Sequence, residues 1–214
     1  MRVLVSLMLL VGLSGCTSNV VMSGRQVSNI DPDAIITPES RIKVETMEVG
    51  DPLTNKRYIE NVIQAFHSRG YHNIGANLTK PDVIARFSLT HQQQVKKVEQ
   101  PIYRERVTGH TTSCYSTGAD KHRCDTNVYT MPHLVGYETL EQSVLEAKMT
   151  LKLIDTQNHL LLQSTSFVTH PTCSRWKLYE FLVQHSIAQL DFKHPMDKPF
   201  NVEMPEDYQC SDGN

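Results

Sequence analysis

The hydrophobic pattern divides the chain into stretches of different period. After Arg2 an apolar run extends from Val3 to Leu13 and gives way to small residues. The run is too short to cross a bilayer core, which takes about 20 apolar residues. Its order of positive start, apolar middle and small-residue end is that of an export signal, residues 1–15. From Cys16 to about Ser40 the chain is rich in Ser, Asn, Asp and Pro and shows no sustained period. This stretch reads as a flexible tether with a root-mean-square reach of roughly 25–30 Å, part of which can pack as an edge strand.

Period two begins at Arg41. Ile42 and Val44, with Met47 and Val49 less regular, predict a first strand over 41–49. A helix follows, with Asp51 as cap, Pro52 in its first turn, Ile59, Val62, Ile63 and Phe66 on one face, and Gly70 at its end. After Pro81, Val83, Ala85, Phe87 and Leu89 alternate with polar residues and predict a half-buried strand. Alternation resumes at Leu145, Ala147, Met149, Leu151 and Leu153. It turns at Asp155-Thr156-Gln157-Asn158 and returns along His159–Thr169 as an antiparallel hairpin. Trp176, Tyr179, Val183, Ile187 and Leu190 recur at helical spacing and predict a second helix from Ser174 to about Leu190.

These elements predict an α+β domain over 41–195: a mostly antiparallel sheet of about four strands with two helices packed on one face. An insertion over 92–135, polar and poor in apolar residues, extends a strand into a hairpin arm. Residues 196–214, with three prolines, read as an irregular strap. No internal repeat is found.

Composition narrows the function classes. Hydrophobic residues make up 39% and charged residues 21% of 214, which fits one folded domain with appendages. Removing residues 1–15 takes away only Arg2. It leaves 20 basic against 23 acidic residues, a formal net charge of −3. A nucleic-acid binder needs a basic stripe, and Lys96-Lys97 and Lys121-His122-Arg123 are too short to make one. The expected partners are therefore not nucleic acids.

Beyond Cys16 the chain holds Cys114, Cys124, Cys173 and Cys210, an even number in an exported chain, and two disulfides are expected. Four cysteines allow three connectivities. The short spacing of Cys114 and Cys124 within the polar insertion favours Cys114–Cys124, leaving Cys173–Cys210 to pin the C-terminal tail. A zinc site among His110, Cys114, His122, Cys124 and His133 competes with this. The paired ligand spacings of structural zinc are absent, so no metal or cofactor is expected.

Catalytic motifs are equally sparse. Ser174-Arg175-Trp176-Lys177 matches the Ser-x-x-Lys pattern of penicillin-recognising enzymes without their companion elements. No nucleophile elbow, zincin helix, phosphate loop or dinucleotide fingerprint is present. The expectation is no enzyme and no catalytic residue. Trp176 reads as core rather than as a ligand-stacking ring.

Two resemblances add to this. Leu13-Ser14-Gly15-Cys16 resembles the bacterial lipobox. That implies cleavage before Cys16, lipidation of its thiol and new amino group, and stable attachment to a membrane. Thr17 rather than Asp after the cysteine implies the outer membrane. The helix ending at Gly70-Tyr71, the strand Pro81-Asp82-Val83-Ile84-Ala85-Arg86-Phe87, and Leu151-Lys152-Leu153-Ile154-Asp155 with its turn resemble a Gram-negative lipoprotein family of unknown function. That family has small α+β domains and carries no known catalytic residues. Leu161-Leu162-Gln163 stands where that family has a tryptophan. The expected function is a membrane-anchored, non-enzymatic lipoprotein binding or scaffolding another envelope component through its arm. The alternative is an envelope enzyme or small-ligand or lipid carrier with a pocket under the helices.

Overall fold

A computed structural model describes residues 19–116 and 122–211. Cys16, the export signal and the arm tip at 117–121 lie outside the described residues. In chain order the elements are β1 (Val21–Ile30), β2 (Ile42–Thr46), α1 (Pro52–Arg57), α2 (Ile59–His67), β3 (Ile74–Gly75), β4 (Val83–Ser116), β5 (His122–Asp155), β6 (Leu160–His170), α3 (Arg175–Gln189) and β7 (Met196–Glu203). Two compact units result: a body, which includes residues 19–94 and 144–211, and an arm, 95–143.

The sheet corrects the expectation of about four mostly antiparallel strands. It has seven strands in the order β3-β2-β4-β5-β6-β1-β7 and is mixed. Parallel pairing joins β2 to both β3 and β4. The cause is the helical region α1–α2, which carries the chain back to the starting end of β2, so the next strand runs in the same direction. Antiparallel pairing joins β5 to β6 and β6 to β1 to β7.

Two of the unforeseen strands lie in the stretches read as tether and strap. β1 sits between β6 and β7, inside the sheet rather than at its edge. Its inward positions are Met22, Gly24, Gln26 and Ser28, so three of the four lack an apolar side chain. Gln26 and Ser28 lie opposite Ser166 and Ser164 in a polar seam, where Gln26 Nε2 donates to Ser164 Oγ at 3.2 Å and to the Ser186 carbonyl at 2.9 Å. β7 forms the edge, where Pro199 removes a donor that a central strand would need.

The body's core lies between the sheet and the helices. Ile42 and Val44, Val83 to Leu89 at alternate positions, Ala147 to Leu153 likewise, Leu162 and Val168 point to one side. Val62, Phe66, Leu178, Leu182 and Ile187 cover them. The other side carries an ionic cluster in which Lys43 meets Glu45 at 3.0 Å and Arg86 meets it at 3.2 Å. Lys43, then Arg86, hold the Glu45 carboxyl below its ordinary range against the opposing effect of burial.

The first predicted helix is two. Asp51 caps α1 by accepting from the Leu53 N–H and the Thr54 hydroxyl. The helix then breaks at Tyr58, whose buried ring stands edge-on to Tyr179 at 5.8 Å. Buried Asn55 ties this region to the sheet, donating to the Val49 carbonyl and accepting from the Leu89 N–H, both at 2.8 Å. Gly70, at φ 88°, closes the segment in the left-handed region. Arg69 beside it donates to the carbonyls of Ile187 and Leu190 and so caps the end of α3.

The arm is a two-stranded ribbon. Its cross-strand side-chain contacts pair Thr112 with Thr126 at 3.1 Å and Tyr115 with Asp125 at 2.8 Å. Thr111 meets Tyr129 at 3.2 Å. One partner's number falls as the other rises, which is the signature of antiparallel strands.

Candidate functional site

Residues of the arm meet water on both faces, because a two-stranded ribbon has no second layer to cover either. Of the 18 large hydrophobic side chains exposed among the described residues, 12 lie in the arm. Alternation places Tyr103, Val107 and Tyr115 on one face of β4 and Tyr129, Met131, Val135 and Tyr137 on one face of β5. The contacts Thr111–Tyr129 and Tyr115–Asp125 join these two sets into a common face toward the tip. The result is an exposed apolar, tyrosine-bearing face that no second layer of the ribbon covers.

The cysteines are paired as Cys114–Cys124, in the arm, and Cys173–Cys210, in the body. The second bridge sits where the Ser174 N–H donates to the Cys210 carbonyl at 2.8 Å, so the tail is fastened to the start of α3. The ligand set once conceivable around His110, Cys114, Cys124 and His133 is replaced by the first bridge, and His110 and His133 are exposed. The His122 side chain lies outside the described residues. A different grouping does converge: His170, Cys173 and Cys210 place ligand atoms within 4.8 Å of one another. Both sulfurs there are already bonded to each other, and His170 Nδ1 accepts from the Cys173 N–H at 3.1 Å. Burial holds the His170 imidazole below its ordinary pKa.

Among the described residues no contact joins the Ser174 hydroxyl to the Lys177 amine. The Ser174 hydroxyl accepts from the Lys177 backbone N–H as the cap of α3, and Lys177 Nζ turns to Glu180 at 3.4 Å. Trp176 is half-buried rather than core. Arg175 and Arg57 lie over its ring at 4.3 and 5.3 Å. Tyr179, pushed up to about 12 by burial, shares a 2.8 Å hydrogen bond with His91 Nδ1. Burial disfavours the phenolate, so the Tyr179 hydroxyl keeps its proton in this contact.

A cleft of about 360 Å³ lies between α3 and the end of β7 with the segment after it. Phe181, Ala188, Val202, Met204 and Pro205 supply its apolar lining, and Glu180, Gln184 and Glu203 its polar part. His185 stands in it, stacked on Phe181 at 5.1 Å and tilted against Phe200 at 4.3 Å. Burial lowers the pKa of His185. The cleft escaped sequence reasoning because half of it belongs to the presumed strap. The alternation of Met196, Phe200 and Val202 was the available signal.

No helix among the described residues is long and apolar enough to cross a membrane. No family model matches the chain, and no curated protein sequence matches it. Among solved structures, a PelC dodecamer variant from Paraburkholderia phytofirmans is similar with a TM-score of 0.42 at 8% identity, over 76% of this chain and 95% of that one. A PDZ domain protein from Parabacteroides distasonis reaches 0.42 at 11% identity, over 86% of this chain and 40% of its own. Neither likeness is close enough to carry an inference about this chain.

Proposed function

We propose that this chain is a lipid-anchored protein of the bacterial outer membrane that has no catalytic role and binds another envelope component through its arm. The observation that carries the reading is the arm itself. A ribbon that exposes 12 large hydrophobic side chains cannot bury them alone, and a second surface is the way to cover them. The lipobox-like Leu13-Ser14-Gly15-Cys16 supplies the anchor, and Thr17 the outer-membrane destination.

The test is photo-crosslinking in intact cells from probes at Tyr103, Tyr129 and Tyr137, with Lys148 and Lys152 of the body as controls. One envelope protein recurring from the arm probes and absent from the controls is the expected result. Capture of nothing at any arm position overturns it. A second reading, a small-ligand or lipid carrier, is favoured by the apolar cleft between α3 and β7.

A further inference from the structure

The cleft between α3 and β7 lies beside the point where the chain leaves the sheet toward its N-terminus. The Met204 N–H donates to the Val20 carbonyl at 2.8 Å, and the Asn19 side chain donates to the Glu203 carboxylate. Glu203, Met204 and Pro205 all line the cleft. Cys16 is four residues before Val20, and four residues of fully extended chain span at most about 14 Å. Whatever Cys16 carries is therefore held within reach of the cleft.

We propose that this cleft receives one of the acyl chains attached to Cys16 of the same molecule. The inference rests on reading Leu13–Cys16 as a lipidation signal. Its apolar lining suits a hydrocarbon chain, and the volume lies at the small end of ligand pockets. Tethering decides between this occupant and a free one. A ligand fixed to the chain a few residues away has an effective concentration that an unattached lipid must match from bulk. The placement of β1 strengthens the point. A flexible tether running to residue 40 would let the anchor roam, whereas a strand starting at Val21 leaves only a short leash. The remaining chains on Cys16 still hold the protein to the bilayer, since two suffice for stable attachment.

The experiment uses the full-length protein in intact cells, with a benzophenone amino acid at Tyr208, which also lines the cleft, or at the control position Lys152 on the opposite side of the sheet. After irradiation and digestion, the N-terminal peptide is analysed by mass spectrometry for acylation of Cys16 and for a cross-link through its lipid. The expected result is an acylated Cys16 peptide joined to the Tyr208 probe and not to the Lys152 probe. Filling the cleft by Ala188→Trp should lower that yield about tenfold or more, as loss of a tethered site implies, with the thermal transition unchanged. An acylated Cys16 peptide with cross-links only to free phospholipid, or with none from Tyr208, overturns the proposal while leaving lipidation standing. An unmodified Cys16 overturns the lipidation reading and this inference with it.

Discussion

Residues 83–94 and 95–116 belong to the same strand, β4, yet they live in different physics. In the body, Val83, Ala85, Phe87 and Leu89 lie against the helices and are at most 3% exposed. In the arm the same strand continues beside β5 with its apolar side chains in water, Tyr103 at 60% and Val107 at 59%. The body is held by burial, at roughly 25 cal/mol per Å² of apolar surface. Among its described residues the arm is held by its ladder, by cross-strand side-chain contacts and by the Cys114–Cys124 disulfide. Several of those devices lie toward the tip, at Thr111, Thr112, Cys114 and Tyr115, in a ribbon that two strands alone hold marginally.

Perturbations of the body should therefore be large and those of the arm small, and Trp176, the single tryptophan, reports the body alone. The largest effect is expected at Gly24, the β1 position opposite Val168 and Phe200. A Cβ there meets the Phe167 carbonyl oxygen at 2.0 Å and the Phe200 ring at 2.5 Å. Gly24→Val should cost more than about 3 kcal/mol, read as a lowered urea midpoint of Trp176 fluorescence. An unmoved midpoint would deny β1 its place inside the sheet.

The two disulfides give the sharpest contrast. Replacing Cys173 and Cys210 by serine should cost about 3 kcal/mol, because the bridge closes a loop with a sequence separation of 37. Replacing Cys114 and Cys124 should leave the Trp176 transition where it is, since that bridge lies in the arm. Equal losses would show that the units unfold together. Next comes Asn55→Ala, which leaves the buried Leu89 N–H and the Val49 carbonyl without their partner and should cost about 2 kcal/mol.

How much of this was legible follows from where apolar residues carry the pattern. β2, the body parts of β4 and β5, β6 and α3 announce themselves because each buries an alternating or helical apolar face. Both disulfide pairings were open to spacing and compartment. β1 was not legible, since Gly24, Gln26 and Ser28 occupy its inward positions and a polar seam has no hydrophobic period. β3 has two residues and offers no period at all. The parallel pairing of β2 with β4 was signalled by the strand–helix–strand order, which a mostly antiparallel reading passed over. The arm, read as 92–135, spans 95–143, so both bounds were set too early, because its strands have no covered face to enforce alternation.

A smaller effect is expected from pH, and it too belongs to the body. Burial among Phe181 and Phe200 lowers the folded-state pKa of His185 below its ordinary value near 6.5. The unfolded chain then binds the proton more readily, so stability is full above that value. It is lost as pH falls from there through the lowered folded pKa. His185→Phe should flatten this part of the melting-temperature profile between pH 7 and pH 5. A profile as steep as the parent's would place the titrating group elsewhere, with His170, also lowered by burial, as the next to replace.

The smallest effect should follow the largest excision. Gln92 Nε2 donates to Glu146 Oε1 at 2.7 Å, so β4 and β5 are side by side where the body ends. Counting two residues on from Gln92 and two back from Glu146 places Gln94 opposite Val144, the spacing a two-residue turn can close. Joining them through Asn-Gly removes residues 95–143 and twelve exposed hydrophobic side chains, but none of the side chains in the body's core. The Trp176 transition should stay within about 1 kcal/mol of the parent, the shorter loop contributing a little in its favour. Binding to whatever the arm captures should vanish. If the shortened chain melts well below the parent, the arm supports the body. If it melts alike and still binds, the contact surface belongs to the sheet.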